Sequence, residues 1–261
     1  MTANPTALQL YTLREQLTDD RAGLLRQVAA MGYGAVEPFG ILNDPAGLRA
    51  DLDAAGLLVC SVHAAPTGAD AEAVARAART LGADTVIIPY LPPPRFADAG
   101  RVLALARELN ELAAQLAGRG LRLGYHNHDF ELSSLVGGVP ALEVLAGHLD
   151  DAVLLEVDTY WAAVGGQDVP ALLRRLGDRV RYLHVKDGPV VDRDDVMTAV
   201  GTGRMPVAEI LAANPSVQWH VVELDRCATD TMTAVRDSLA WLTGQGLAPA
   251  HPPSAQRRSG P

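Results

Sequence analysis

Short apolar runs alternate along this chain with longer segments in which Leu, Val and Ala recur every three or four residues. Runs of this kind predict buried strands, and the helical spacing between them predicts amphipathic helices. Eight predicted strands cover residues 7–12, 35–38, 57–63, 85–90, 121–127, 153–158, 180–186 and 217–224. Eight predicted helices follow them one by one, over residues 19–31, 43–55, 70–81, 98–117, 139–147, 169–176, 207–213 and 230–242.

This alternation indicates parallel βαβ units, and eight of them in about 250 residues match a single (β/α)8 TIM barrel. The alternative is an open doubly wound sheet, but no G-x-G-x-x-G follows the first predicted strand, where a dinucleotide-binding fold needs it. We therefore predict an α/β fold with one barrel domain over residues 1–247 and a disordered, Pro- and Ser-rich tail over 248–261. A short extra turn over 192–199 and a flexible loop at 201–203 are predicted after the seventh strand.

The composition, with 48% hydrophobic and 20% charged residues, is typical of soluble globular proteins. The net charge of −9 disfavours nucleic acid and anionic membranes as partners, and no apolar run is long enough to cross a membrane. Cys60 and Cys227 are expected to be free thiols in a reducing compartment. No basic and apolar leader precedes the first strand, so the expected location is cytoplasmic.

Polar side chains stand at the carboxyl ends of the predicted strands, where a TIM barrel places its active site. They are Glu37, His63, His126, His128, Asp158, His184, Lys186 and Glu223, and Glu131 follows shortly after the fifth strand. His126 and His128 are two residues apart, so an extended strand points both to the same side. Each residue alone has a structural explanation, because a carboxylate can cap the next helix and Lys186 can pair with Asp187 at the surface.

Taken together, these residues predict a metal site. Several carboxylates that converge on one barrel mouth repel each other and need protons or a cation. Imidazoles beside them favour a divalent transition metal such as Mn, Co, Fe or Zn over Ca. His220 and Glu223 lie three residues apart on the predicted strand, so they point to opposite faces, and His220 is expected to face the helices or solvent. Glu156 lies two residues before Asp158, so it points to the same face of the strand and is expected deeper in the barrel. A structural and a functional role for Glu156 are equally open. Trp161 can either stack on a sugar ring or close the barrel top.

Five motifs, YHNHDFE, EVDTYW, YLHVKD, GTG and VVELD, together resemble the sugar phosphate isomerase/epimerase family of xylose-isomerase-like TIM barrels, and the likeness covers nearly the whole chain. The resemblance implies one metal ligand from each of strands five to eight, at His126, Asp158, His184 and Glu223. Two positions depart from the family pattern: His126 stands where many members have Glu, and Trp161 stands where epimerases often have His. Both departures resemble a subgroup in which some members act on oxidised sugars or cyclitols by elimination or hydration.

The resemblance implies an enzyme of carbohydrate metabolism, a sugar isomerase or epimerase that uses a divalent metal (Mn, Co, Mg, Fe or Zn) and removes a proton next to a carbonyl. The expected catalytic residues are Glu223, His128 and Lys186. The expected substrate-binding residues are Glu37, His63, Glu131 and Trp161. The expected partner is a small carbohydrate, and the fold often forms homo-oligomers.

Three other functions stay open from the sequence. One is a metal-dependent lyase or dehydratase acting on 3-keto sugars or inososes. Another is a barrel that binds sugar without catalysis. The third, a DNA endonuclease related to endonuclease IV, is disfavoured by the −9 charge and the small number of histidines.

Overall fold

The computed structural model describes residues 3–18, 20–66 and 71–249. Within them the strands are β1 (Thr6–Gln9), β2 (Ala35–Glu37), β3 (Leu58–Val59), β4 (Val62–His63), β5 (Thr85–Ile88), β6 (Arg122–His126), β7 (Leu135–Val136), β8 (Val139–Pro140), β9 (Val153–Asp158), β10 (Val180–Val185) and β11 (Trp219–Val222). The α-helices are α1 (Arg21–Ala30), α2 (Pro45–Ala55), α3 (Ala71–Leu81), α4 (Ala99–Ala117), α5 (Phe130–Ser133), α6 (Ala141–Ala146), α7 (Thr159–Val164), α8 (Val169–Leu176), α9 (Val207–Ala212) and α10 (Thr231–Gly244).

Nine of the strands form one parallel sheet in the order β3-β2-β1-β11-β10-β9-β6-β5-β4. β3 and β4 are two halves of the predicted third strand, which is interrupted at Cys60 and Ser61. The Cys60 N–H donates to the Val36 carbonyl at 3.1 Å, and the His63 N–H donates to the Pro38 carbonyl at 2.8 Å, so the second strand pairs with both halves. The sheet therefore closes on itself, and the predicted single (β/α)8 barrel is confirmed.

The larger hydrophobic core lies between the strands and the surrounding helices, and two small clusters lie apart from it. These clusters consist of Ala7, Ala35, Cys60 and Val221, and of Ile87, Leu154 and Tyr182. They come from alternate strand positions, which places them inside the barrel. Strands β5 and β6 approach closely here, because a methyl group on Gly124 would lie 2.9 Å from Ile87 Cγ1. The barrel interior is thus filled below the polar strand ends.

Local contacts explain why the first strand ends earlier, and the fifth predicted helix begins later, than the sequence predicts. The first strand stops at Gln9, and residues 10–13 form a 3-10 turn because the Gln9 side-chain oxygen accepts a hydrogen bond from the Tyr11 N–H at 3.0 Å. The helix predicted over 139–147 begins at Ala141 and is preceded by the β7–β8 hairpin.

The segment predicted as a short turn over 192–199 forms a single hydrogen-bonded turn, from the Asp195 N–H to the Asp192 carbonyl, and no helix within the described residues. At the C-terminus, Ala248 is 4% exposed and its N–H donates to the Leu242 carbonyl at 3.2 Å, so the ordered chain extends past the predicted boundary at 247. Residues 250–261 of the predicted tail lie outside the described residues.

Both cysteines are free thiols, as predicted. In the part of the chain that the structure describes, none of the helices has the length and apolar character needed to cross a membrane.

His220 points away from the barrel interior, as its parity predicts, and it is buried beside Asn4, whose Nδ2 lies 3.4 Å from His220 Nε2. Burial lowers the pKa of His220 to about 4. In the unfolded chain the pKa returns to about 6.5, so acidification protonates the unfolded state first and stability falls as the pH drops from about 6.5 towards 4.

We expect the free energy of unfolding to fall between pH 7.5 and pH 5 by about 2 kcal/mol more in the wild type than in His220→Gln. Urea denaturation at both pH values measures the difference. His148→Gln, at an exposed histidine after α6, is the matched control and should lose as much as the wild type. Equal acid losses in His220→Gln and the wild type would contradict this expectation.

Candidate metal centre

Four strand ends bring the predicted metal ligands together. His126 ends β6, Asp158 ends β9, His184 lies in β10, and Glu223 follows β11. The register aligns His184 with Asp158 across neighbouring strands, which sets both at one level of the barrel. One ligand atom from each of the four residues lies within 4.8 Å of all the others, and all four residues are buried. We name these four residues the outer cluster.

A second group of polar residues lies directly against the outer cluster. Glu156 Oε2 is 2.7 Å from His63 Nε2, 3.0 Å from His126 Nδ1 and 3.1 Å from His184 Nε2. Glu37 Oε2 is 2.8 Å from His184 Nε2 and 3.1 Å from His63 Nε2. We name Glu37, His63 and Glu156 the inner cluster. Glu156, whose role the sequence left open, contacts three of the histidines and joins the two clusters.

The inner carboxylates orient the two imidazoles of the outer cluster. His126 has Nδ1 against Glu156, which directs Nε2 towards Asp158 Oδ2 at 3.7 Å. His184 has Nε2 against Glu37 and Nδ1 against Glu223 Oε2 at 2.6 Å. A histidine that ligates a metal with one nitrogen commonly donates the other N–H to a carboxylate. Each of the two rings has one nitrogen against an inner carboxylate and the other directed towards a carboxylate of the outer cluster.

Lys186 adds one positive charge among three carboxylates. Its Nζ lies 2.7 Å from Asp158 Oδ2, 2.7 Å from Glu223 Oε2 and 2.5 Å from Asp225 Oδ2. Burial opposes the charged form, but Asp158, Asp225 and Glu223 outweigh it and hold the Lys186 pKa well above its usual value. The carboxylates around Lys186 outnumber its single ammonium, so this part of the site still has carboxylate oxygens to offer a cation.

Asp158 divides its oxygens between the backbone and the charged groups of the site. Burial raises its pKa to about 6, although Lys186 and His184 act in the opposite direction. Its Oδ1 accepts the Trp161 N–H at 2.9 Å, whereas the buried Oδ2 lies 2.7 Å from Lys186 Nζ and 3.7 Å from His126 Nε2. This oxygen faces the other outer-cluster atoms, as expected of a metal ligand.

The two outer histidines differ in protonation. Burial, reinforced by the charge of His184, holds the His126 pKa well below its usual value, so this ring is neutral and can ligate. Burial also opposes the charged form of His184, but Glu156 and Glu223 outweigh it and raise the pKa of that ring. Two imidazoles and two carboxylates are a donor set that suits Mn, Fe, Co or Zn. The outer cluster therefore fits a divalent transition metal in its ligand chemistry.

A cavity of 370 Å³ opens above the outer cluster at the barrel mouth. It is lined by Tyr11, Phe39, Gly40, His63, Pro89, Tyr90, His126, His128, Glu223 and Asp225. We name it the mouth cavity. His128 lies at its wall with a buried Nδ1 that has no hydrogen-bond partner among the described residues. Burial, with the charge of Lys186, lowers the His128 pKa to about 4. Neutral His128 can therefore accept a hydrogen bond from a molecule in the cavity.

Three residues predicted to bind substrate lie outside the cavity lining. Both Glu131 oxygens are occupied, one by the Tyr125 hydroxyl at 2.6 Å and the other by the His128 N–H at 2.9 Å, so Glu131 holds the segment that carries His128. The Trp161 ring lies under Lys186, with Nζ 5.5 Å from the ring centroid. Glu37 is fully buried and is not among the residues that line the cavity. Of the four residues predicted to bind substrate, His63 lines the cavity.

Lys186, predicted as catalytic, is 1% exposed and is not among the residues that line the cavity, but it contacts Asp158 and Glu223 of the outer cluster. Glu223 and His128, the other two predicted catalytic residues, both line the cavity.

Three further residues of the site were not singled out from the sequence. Gln9 Nε2 donates to Glu37 Oε2 at 2.7 Å, and the Ser61 hydroxyl donates to Glu37 Oε1 at 2.5 Å. Asp225 binds Lys186 and lines the cavity. Asp225 lies two residues after Glu223, so the sequence could have indicated that both side chains point to the same side. There was no such indication for Ser61, because the third strand is interrupted there and the alternation of its side chains between the two faces is broken.

A family model for the xylose isomerase-like TIM barrel matches residues 25–245. This chain belongs to that family. Among solved structures, a sugar phosphate isomerase/epimerase from Parabacteroides distasonis superposes with a TM-score of 0.79 at 23% identity, over 95% of this chain and 96% of that one. A probable 3-DHS dehydratase, AsbF, from Bacillus anthracis has a TM-score of 0.71 at 11% identity, over 92% and 98% of the two chains.

The IolI protein, solved with a bound zinc atom, has a TM-score of 0.66 at 13% identity, over 93% of this chain and 98% of that one. No curated protein matches this chain in sequence. At these identities the solved structures establish the shared fold. The family includes sugar isomerases and epimerases, among them the Parabacteroides protein.

Proposed function

We propose that this protein is a divalent-metal-dependent isomerase or epimerase that acts on a sugar, a keto sugar or a cyclitol. The observation that carries the proposal is the outer cluster, in which two imidazoles and two carboxylates meet within 4.8 Å at the base of an open cavity. His126, Asp158, His184 and Glu223 would hold the metal. When bound, a divalent cation supplies a Lewis acid for a carbonyl and a neighbouring hydroxyl of the substrate.

The chain itself supplies the proton-transfer groups. Glu223 lines the cavity, and Lys186 and His184 hold its pKa well below the usual range against the opposing effect of burial. Its contacts with these two residues both use Oε2, which leaves Oε1 for ligands or proton transfer. Neutral His128 offers a second proton acceptor at the cavity wall. A base takes the proton from the carbon next to the carbonyl, and the electron pair becomes the double bond of an enediolate.

The fate of that proton distinguishes the reactions. Its return to the opposite face of the same carbon gives an epimer, and its return to the neighbouring carbon exchanges aldose and ketose. Elimination needs a group that protonates the leaving oxygen. Lys186, which contacts Asp158 and Glu223, is the candidate for this task. Isomerisation or epimerisation is the first candidate reaction, and a lyase acting on 3-keto sugars or inososes is the second.

Deuterium exchange tests the proposal. The purified protein is analysed for bound metals and incubated in D₂O with ketohexoses, keto sugars and inososes. We expect a bound transition metal and deuterium at a single carbon, without net loss of water. Loss of water or alcohol would establish the lyase. A metal-loaded protein that exchanges no proton in any of these compounds would contradict both reactions, and sugar binding that survives Glu223→Gln without metal would indicate a non-catalytic barrel.

A further inference from the structure

We propose that the substrate is an uncharged, unphosphorylated polyol carbonyl compound, and that the barrel excludes phosphate esters. This inference rests on the proposed function and narrows its substrate class. Three independent features of the described residues support it: the charge of the mouth cavity, the state of the loop after β10, and the apolar surface at the rim.

The mouth cavity offers a phosphate group no cationic partner. Among the described residues that line it, none is arginine or lysine, while Glu223 and Asp225 contribute carboxylates. The nearby ammonium of Lys186 is shared by Asp158, Glu223 and Asp225. A dianion in the partly desolvated cavity would therefore meet two carboxylates and no lysine or arginine of the lining.

The basic residues nearest the rim are engaged elsewhere. Arg14 donates from Nη1 to the Tyr11 carbonyl at 3.0 Å and from Nη2 to the Asp225 carbonyl at 2.9 Å. Its guanidinium lies 4.5 Å from the centroid of the Tyr11 ring. Arg193 pairs with Asp129 at 3.2 Å. These contacts hold both guanidiniums outside the cavity lining.

The loop after β10 holds a ready-made anion site that the chain itself fills. Phosphate-binding barrels commonly use the loops after strands seven and eight for this purpose. Here the buried Asp187 carboxylate accepts four backbone N–H groups: Gly188 at 2.8 Å, Gly201 at 2.9 Å, Gly203 at 3.0 Å and Met205 at 3.0 Å. Converging backbone N–H groups of this kind bind anions such as phosphate. We name this arrangement the Asp187 cradle.

The Asp187 cradle has no room for a second anion. A methyl group on Gly203 would lie 2.1 Å from Asp187 Oδ1, so the carboxylate is packed against the loop backbone. The converging N–H groups of the loop after β10 are therefore occupied by a fixed negative charge of the protein.

The rim of the mouth cavity suits a neutral carbohydrate instead. Tyr11 and Tyr90 line the cavity while remaining 41% and 50% exposed. Phe39 packs edge-on against Tyr11 at a centroid distance of 5.2 Å. Aromatic faces at the rim can cover the apolar C–H faces of a sugar ring, and the carboxylates and imidazoles below can accept or donate hydrogen bonds to its hydroxyls.

Paired substrates test the inference on the intact, metal-loaded protein. Each ketose or inosose in a panel is compared with its phosphate monoester, and kcat/KM for deuterium incorporation in D₂O is measured by NMR. We expect at least about a hundredfold preference for the free compounds, because a buried, unpaired charge is strongly disfavoured. Equal or faster exchange with the esters would overturn the inference and leave the proposed function standing. Absence of exchange with both members of every pair would overturn both.

Inorganic phosphate tests the Asp187 cradle without any need for catalysis. Asp187→Ala empties the cradle, whereas the near-isosteric Asp187→Asn keeps a side chain in it whose single oxygen can still accept two of the four N–H groups. We expect millimolar phosphate to raise the Tm of Asp187→Ala, since a ligand that binds the folded state stabilises it, and to leave the Tm of the wild type and of Asp187→Asn unchanged. A wild-type Tm that rises with phosphate would contradict the proposal. If Asp187→Ala does not fold, the paired-substrate experiment on the wild type decides.

Discussion

Replacing Glu223 with glutamine is expected to weaken divalent-cation binding at least about a hundredfold, because loss of a direct ligand should exceed the 10–100-fold effect of losing a supporting residue. The amide keeps the shape of the side chain but removes the negative charge that His184 and Lys186 contact. Proton exchange should be lost as well, since Glu223 lines the mouth cavity and is a candidate base. Titration with Mn²⁺ or Co²⁺, followed by calorimetry, measures the affinity.

Glu111→Gln is the matched control, because Glu111 is exposed on the outer surface of α4. It makes the same chemical change far from the outer cluster and should bind the cation as the wild type does. If Glu223→Gln folds and binds Co²⁺ as tightly as the wild type, Glu223 is not a ligand and the composition of the outer cluster must be revised.

Glu156→Gln is expected to weaken cation binding by about 10–100-fold through the orientation of the imidazoles. Glu156 Oε2 lies 3.0 Å from His126 Nδ1 and 3.1 Å from His184 Nε2, so its charge favours the tautomer of His126 that directs Nε2 towards Asp158. A glutamine places either an oxygen or an NH₂ group there and no longer favours that tautomer as strongly.

The distinguishing result is the behaviour at saturating metal. With Glu156→Gln, excess Co²⁺ should restore most of kcat and a Co²⁺ absorption spectrum close to that of the wild type, because all four outer-cluster residues are still present. With Glu223→Gln, the spectrum should remain altered at every concentration. An unchanged Kd for Co²⁺ in a folded Glu156→Gln protein would show that the inner cluster does not orient the ligands.

The barrel was predictable because its evidence is local. Each strand is a short apolar run, and each helix carries an apolar stripe, so the order of elements follows from the sequence alone. The segments 153–158 and 169–176 agree with β9 and α8 in both bounds. Parity also separated His220, which faces outwards, from Glu223, which faces the barrel mouth.

The inner cluster could not be predicted in the same way. Parity tells which face of a strand a residue occupies, but the depth of that residue depends on the stagger between strands, which the sequence does not encode locally. Glu156 and Asp158 share a face, yet only the register of β9 with β6, which pairs His126 with Glu156, shows that Glu156 lies among the histidines. Ser61 reaches Glu37 because the third strand breaks at Cys60.

The β7–β8 hairpin was missed although its signal was present. Gly137 and Gly138 both adopt positive φ, of 61° and 85°, as a two-residue hairpin turn of this kind requires. A Gly-Gly pair between two short apolar stretches is a recognised hairpin pattern. The prediction of a helix from residue 139 gave more weight to the apolar spacing that follows.

Asp158 divides its two oxygens between the fold and the site: Oδ1 caps the start of α7 through the Trp161 N–H, and Oδ2 faces the outer cluster. The backbone at residue 161 therefore sets the rotation of the carboxylate. Transfer of this carboxylate to another barrel in the same orientation would therefore require transfer of the turn over residues 158–161. Conversely, a redesign of the loop and helix after β9 would change the orientation of Asp158 in the outer cluster without replacing any of its four residues.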